Sequence, residues 1–91
     1  MNVWTYNWQG STLTIPKALG VYRVSVQAIN GSIRVKGDWT LVIPGVGTYP
    51  SDFITIQENN VWNLQANITS PIGDIVIDPN GNTAAITLAY G

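Results

Sequence analysis

The chain has no cysteine and no histidine, and only 10% of its residues are charged. Without cysteine there is no disulfide to brace a small fold, no thiolate nucleophile and no sulfur ligand for zinc. Without histidine the Ser-His-Asp and Cys-His nucleophile systems are excluded as well. Four basic residues set against five acidic ones, a net charge of −1, cannot neutralise a phosphate backbone, so nucleic acid is not an expected partner. No run reaches the roughly 18 apolar residues of a membrane-spanning helix, and no membrane partner is expected. The opening MNVWTYNWQG has neither a basic nor a long apolar region, so no signal peptide is expected. Helical spacing is missing too: no stretch of ten residues repeats apolar side chains at three and four, apart from one possible turn at Lys17-Ala18-Leu19.

What is present is short-range alternation, with Asn, Gln, Ser and Thr supplying the polarity. At 91 residues one domain, residues 1–91, is expected, with a thin core. Surface scaling gives a folded area of roughly 5,200 Å². A charge-poor surface suits close packing against other protein, because a buried charge needs a partner.

Residues 21–45 show the pattern most clearly. Tyr22, Val24, Val26 and Ala28 alternate with Val21, Arg23, Ser25 and Gln27, as in a strand with one face inward. Asn30-Gly31 follows, a dipeptide that predicts a hairpin with the next run, in which Ile33 and Val35 oppose Arg34 and Lys36. Gly37-Asp38 predicts a break, Trp39–Ile43 a further strand, and Pro44–Pro50, with two Gly and two Pro, a loop.

Elsewhere, Val3–Trp8, Ser11–Ile15, Phe53–Gln57 and Val61–Ile68 read as strands. Asp74–Asp78 and Thr83–Tyr90 read as a hairpin around Pro79–Asn82. Seven or eight short strands about ten residues apart predict an all-β fold. The expected form is an antiparallel two-sheet β-sandwich, jelly-roll or Ig-like, with a small barrel as the alternative. The sequons at Asn30 and Asn67 are read as incidental.

Candidate chemistry is sparse. Asp74 and Asp78, four apart in a strand, would place their Cα atoms about 13 Å apart, beyond the roughly 5–9.5 Å of a glycosidase pair. Asp78-Pro79-Asn80-Gly81-Asn82 offers oxygens at alternate positions, but the same residues make turns, and no terminal acid completes a calcium loop. No catalytic residue, metal site or cofactor is therefore expected. The suggestive feature is the stripe Trp4, Tyr6, Trp8, three large aromatics on one face of the first strand. A strand laying its apolar face on the core would place them so. So would an exposed sheet stacking on sugar rings, or a protein interface, and alternation with Thr5 and Asn7 favours the last. Tyr49, in the Gly/Pro loop, is a further contact candidate.

The charge-poor, cysteine-free composition, the Trp-rich start and the ending IVIDPNGNTAAITLAYG resemble small all-β virion proteins of tailed bacteriophages, of the head-decoration or head-fibre kind. That resemblance implies a non-enzymatic structural protein of the virion, assembled in the host cytoplasm. Its partners would be a major capsid or other virion protein and copies of itself. Trp4, Tyr6, Trp8 and Tyr49 are the expected interface residues. A β-sandwich carbohydrate-binding module is the alternative function.

Overall fold

Short runs of Ile, Val and Thr, punctuated by Pro, Gly and Asn, produce ten strands in a computed structural model that describes residues 2–66 and 71–91. They are β1 (Asn2–Trp8), β2 (Leu13–Ile15), β3 (Val21–Ala28), β4 (Ile33–Gly37), β5 (Thr40–Ile43), β6 (Gly47–Pro50), β7 (Ile54–Ile56), β8 (Val61–Gln65), β9 (Ile75–Asp78) and β10 (Ala84–Tyr90). A single 3-10 turn at Lys17–Leu19 precedes β3, ended by Gly20 in the left-handed region at φ 76°. The expected Val61–Ile68 strand is described only to Gln65; Asn67 and Ile68 lie outside the described residues, as does the second sequon.

Eight strands form two four-stranded antiparallel sheets, ordered β1-β10-β3-β8 and β2-β9-β4-β7, and among the described residues β5 pairs only with β6. Successive sandwich strands alternate between sheets, except that β4 and β7 pair within the second. Two sheets threaded in this alternating way make a jelly roll.

This threading overturns both expected hairpins. β3 pairs with β10 and β8 while β4 pairs with β9 and β7, so Asn30-Gly31 carries the chain across the sandwich instead of back along one sheet. The Pro79–Asn82 turn crosses likewise, from β9 in the second sheet to β10 in the first. Turn residues state that the chain reverses; whether the strands then pair depends on which distant strand takes the hydrogen bonds. The two crossings hold each other. Thr83 N–H donates to Asn30 Oδ1 at 2.6 Å, Asn82 Nδ2 donates to the Ser32 carbonyl at 2.9 Å, and Ile29 N–H donates to the Thr83 carbonyl at 3.0 Å.

The core is aliphatic. Val24, Val26 and Ala28 of β3, Ile33 and Val35 of β4, Ile75 and Ile77 of β9 and Ile86 and Leu88 of β10 are buried between the sheets. A bulge where Ala89 pairs with Arg23 but Tyr90 with Val21 turns Val21 inward, so it is buried and Tyr22 is not; strict alternation had placed them the other way round. None of the Trp or Tyr side chains is in the buried set. Trp4, Trp8, Trp62 and Tyr90 instead pack around its margin. Two sheets about 10 Å apart are filled by interdigitated Ile and Val, which leaves indole rings to the open edges.

Candidate interaction surfaces

Trp4, Tyr6 and Trp8 lie on the inward side of β1, an edge strand of the first sheet, opposite buried Leu88, Ile86 and Ala84 of β10. Strand alternation puts the three on one face, as expected, and that face is the one turned toward the other sheet. What exposes them is the facing strand β2, only three residues long, which covers part of the stripe. Trp4 stacks on Tyr6 with ring centroids 5.7 Å apart and planes at 13°. Tyr6 is tilted against Trp8 at 6.3 Å and is 55% exposed. Trp8 is fixed: its Nε1 donates to the Ser11 carbonyl at 2.7 Å, and its ring lies against Gly10. The stripe is thus packed against the core at both ends and open in the middle.

Beside it runs an apolar groove of about 270 Å³ between the two sheets. Trp4 of β1, Leu13 and Ile15 of β2, Leu19 of the 3-10 turn, and Leu88 and Tyr90 of β10 line it. No titratable side chain except the Tyr90 phenol lines it, so it offers shape and apolar surface without charge.

At the opposite edge of the sandwich stands a feature whose Gly and Pro content predicts a loop. Residues 44–50 do not form one; β6 pairs with β5 in register Ile43↔Gly47 through Thr40↔Pro50. Ile43, Pro44, Gly45 and Val46 make the turn, with Val46 N–H donating to the Ile43 carbonyl at 3.0 Å and Gly45 at φ 77°. Pro followed by a residue with positive φ is type II turn chemistry. Among the described residues the arm makes no ladder with either sheet, and all its strand residues are exposed. Leu41, Val42, Ile43, Val46 and Tyr49 are its exposed large side chains, and no charge occurs between Asp38 and Asp52. Tyr49, the expected contact residue, therefore belongs to a strand of this arm. The sequence signal that would have found the arm is a Pro-Gly turn between two β-rich runs without charges.

The arm's base is anchored. Trp39 packs on Trp62 of β8 with centroids 5.9 Å apart, and Ser51 N–H donates to the Trp39 carbonyl at 2.8 Å. Gly37 is required beneath it, because a Cβ there would stand 2.5 Å from the Trp39 ring.

Asp74 and Asp78 are engaged locally. Asp74 Oδ1 accepts the Lys17 N–H at 2.7 Å. Asp78 pairs with Arg34 across β9 and β4 and accepts the Asn80 N–H at 2.9 Å. The Arg34 guanidinium, with that backbone donor, holds the Asp78 carboxyl below its ordinary value of 3.8. Arg34 and Lys36 also flank the Phe53 ring, at 4.8 and 5.6 Å from its centroid. Asn80 and Gly81, both at positive φ, give Asp78–Asn82 the geometry of a turn. Among the described residues no three acidic, His or Cys side chains cluster as metal ligands would. No helix among them is long and apolar enough to cross a membrane.

Comparison with known protein families, curated proteins and solved structures finds nothing that matches this chain.

Proposed function

We propose that this chain is a non-enzymatic structural protein that works by protein–protein contact, as a decorating or stabilising component of a bacteriophage capsid or tail. The observation that carries the reading is the β5–β6 arm. Five large apolar side chains are exposed on a hairpin whose base is held by Trp39 on Trp62 and by the Ser51–Trp39 hydrogen bond. An uncharged apolar patch of this kind on a small protein marks a contact surface. Tyr49 sits in it, and aromatic anchors concentrate interface energy.

The wider shape supports assembly. The accessible area is 5527 Å², above the roughly 5,200 Å² of a rounded protein this size. The radius of gyration is 13.6 Å against about 12 Å expected, and the molecule is elongated, 43 by 30 by 20 Å along its principal axes. Sugar binding has weaker support: Trp4 and Trp8 pack on the core margin and only Tyr6 of the stripe is exposed, whereas a sugar platform offers a row of free ring faces.

Mass spectrometry of purified phage particles tests the reading. Finding the chain in amounts stoichiometric with the head or tail proteins is the expected result. Val42→Glu should release it from particles while its melting transition stays in place. Absence from particles whose shell and tail proteins are all accounted for would overturn the proposal.

A further inference from the structure

An asparagine followed by glycine has its side-chain amide open to attack by the next backbone nitrogen, because glycine has no side chain to hinder the approach. The chain has two such dipeptides, Asn30-Gly31 and Asn80-Gly81. One lies in each of the two turns that cross between the sheets, and the fold treats them differently. Asn30 Oδ1 accepts the Thr83 N–H at 2.6 Å, which holds the side-chain amide in place. Its flanks are held as well: Ile29 N–H donates to the Thr83 carbonyl at 3.0 Å, and Asn82 Nδ2 to the Ser32 carbonyl at 2.9 Å. Gly31 is closed in by the Asn82 amide, 2.5 Å from where a Cβ would stand. Rotating Asn30 and Gly31 into position for ring closure means breaking these bonds.

Asn80 and Gly81 stand exposed at the outside of their turn. Apart from its chain neighbours, nothing lies within 4 Å of where a Gly81 Cβ would be. What holds the turn acts on other atoms. Asn80 N–H donates to Asp78 Oδ1 at 2.9 Å, and Asn82 N–H donates to the Pro79 carbonyl at 2.9 Å. Neither bond engages the Asn80 side chain or the Gly81 nitrogen.

We propose that Asn80 is a site of spontaneous deamidation in the folded protein, and that the crossing protects Asn30 from the same reaction. The Gly81 nitrogen attacks Asn80 Cγ; a bond forms between them and the Cγ–Nδ2 bond breaks. Nδ2 leaves as ammonia, carrying the proton that the Gly81 nitrogen gives up. Water then opens the cyclic imide and returns a proton to that nitrogen. Opening at Cγ leaves aspartate. Opening at the main-chain carbonyl leaves isoaspartate, whose backbone runs through Cβ and Cγ and is longer by one carbon. No oxidant, reductant, cofactor or partner is required; water is the only other reactant. Either product adds a negative charge to a chain whose net charge is −1. Isoaspartate also lengthens the turn next to Asn82 and Thr83, whose bonds to Ser32 and Asn30 tie the crossings together, so that form should melt at a lower temperature.

The test keeps the full chain folded in warm, mildly alkaline buffer and follows both sites by mass spectrometry of proteolytic peptides. Trypsin separates them, since Asn30 lies between Arg23 and Arg34 and no Lys or Arg follows Lys36. An isoaspartyl methyltransferase with a labelled methyl donor identifies the isoaspartate product. Asn80 should convert several-fold faster than Asn30 in the folded chain, and in concentrated urea the two rates should converge. Asn80→Gly keeps the positive φ of that position without a side-chain amide, so it should lose the early acidic species and keep the fold. Conversion at Asn30 as fast as at Asn80 in the folded chain overturns the proposal. A folded ratio equal to the ratio in urea also overturns it, since the structure would then play no part in the selection. So does an early acidic species that persists in Asn80→Gly. If Asn80 in the folded chain stays intact while the urea sample converts, the turn protects both sites and the proposal falls.

Discussion

Gly31 carries two constraints at once. Its φ is 146°, a region that L side chains rarely adopt, and a Cβ would stand 2.5 Å from the Asn82 amide. That amide bridges the two crossings by donating to Ser32. Gly81, at φ 80°, has open space around its missing Cβ, so it isolates the backbone part of the cost. Gly31→Val should lower stability by at least about 1 kcal/mol, and Gly31→Ala should cost more than Gly81→Ala. Urea unfolding of the three variants checks this, and equal losses at both positions would count against the close approach of the crossings. Asp78 sets an acid-sensitive contact at the same end. Its pKa is lowered in the folded protein by Arg34 and the Asn80 N–H. Its contribution is therefore complete above the ordinary value of 3.8 and is lost as pH falls through the lower, folded value. Asp78→Asn should differ most from wild type in melting temperature near neutral pH, with the gap closing in strong acid.

At the level of elements, β1 and the arm make opposite predictions. Trp8 is packed on the core margin, hydrogen-bonded to Ser11 and laid over Gly10. Trp8→Ala should therefore lower the melting temperature, at a cost of about 3 kcal/mol. Tyr6, the exposed member of the stripe, should be replaceable by Ala within about 1 kcal/mol. Differential scanning calorimetry of the two separates packing from exposure within one strand. On the arm, Val42→Glu and Val46→Ser replace side chains 64% and 66% exposed and should move stability by about 0.5 kcal/mol or less. Ile77→Ala, in the fully buried core, should cost about 2–5 kcal/mol. An arm variant as damaging as Ile77→Ala would show that the arm packs on its own body.

For the whole molecule, the aliphatic core is thin and the margin is rich in aromatics, so association and stability should be linked. A partner that covers the exposed arm would bind the folded form alone and so raise its apparent stability. The melting temperature of the wild type should therefore rise as the partner shell or tail protein is added, while that of Val42→Glu should not. Calorimetry over a wide concentration range measures both.

The residues themselves determined the class of fold. Alternating Ile and Val with Pro, Gly and Asn between them permit strands and turns and little else, and the absence of helical spacing leaves a two-sheet sandwich as the economical way to bury one face of each strand. They also determined that Trp and Tyr would exceed what such a core holds, since Ile and Val already fill the space between the sheets. Only the tertiary structure decided where each turn leads. Asn30-Gly31 and Pro79–Asn82 reverse the chain in either a hairpin or a crossing. The choice rests on β10 taking the hydrogen bonds of β3 and β9 those of β4, pairings between residues far apart in the chain. It also decided that β5 and β6 pair away from the sandwich, leaving Leu41, Val42, Ile43, Val46 and Tyr49 uncovered. Local sequence specifies the preference of a segment, whereas burial depends on which surfaces the rest of the chain brings to it. An apolar run therefore reads the same whether it ends in the core or, as here, in solvent.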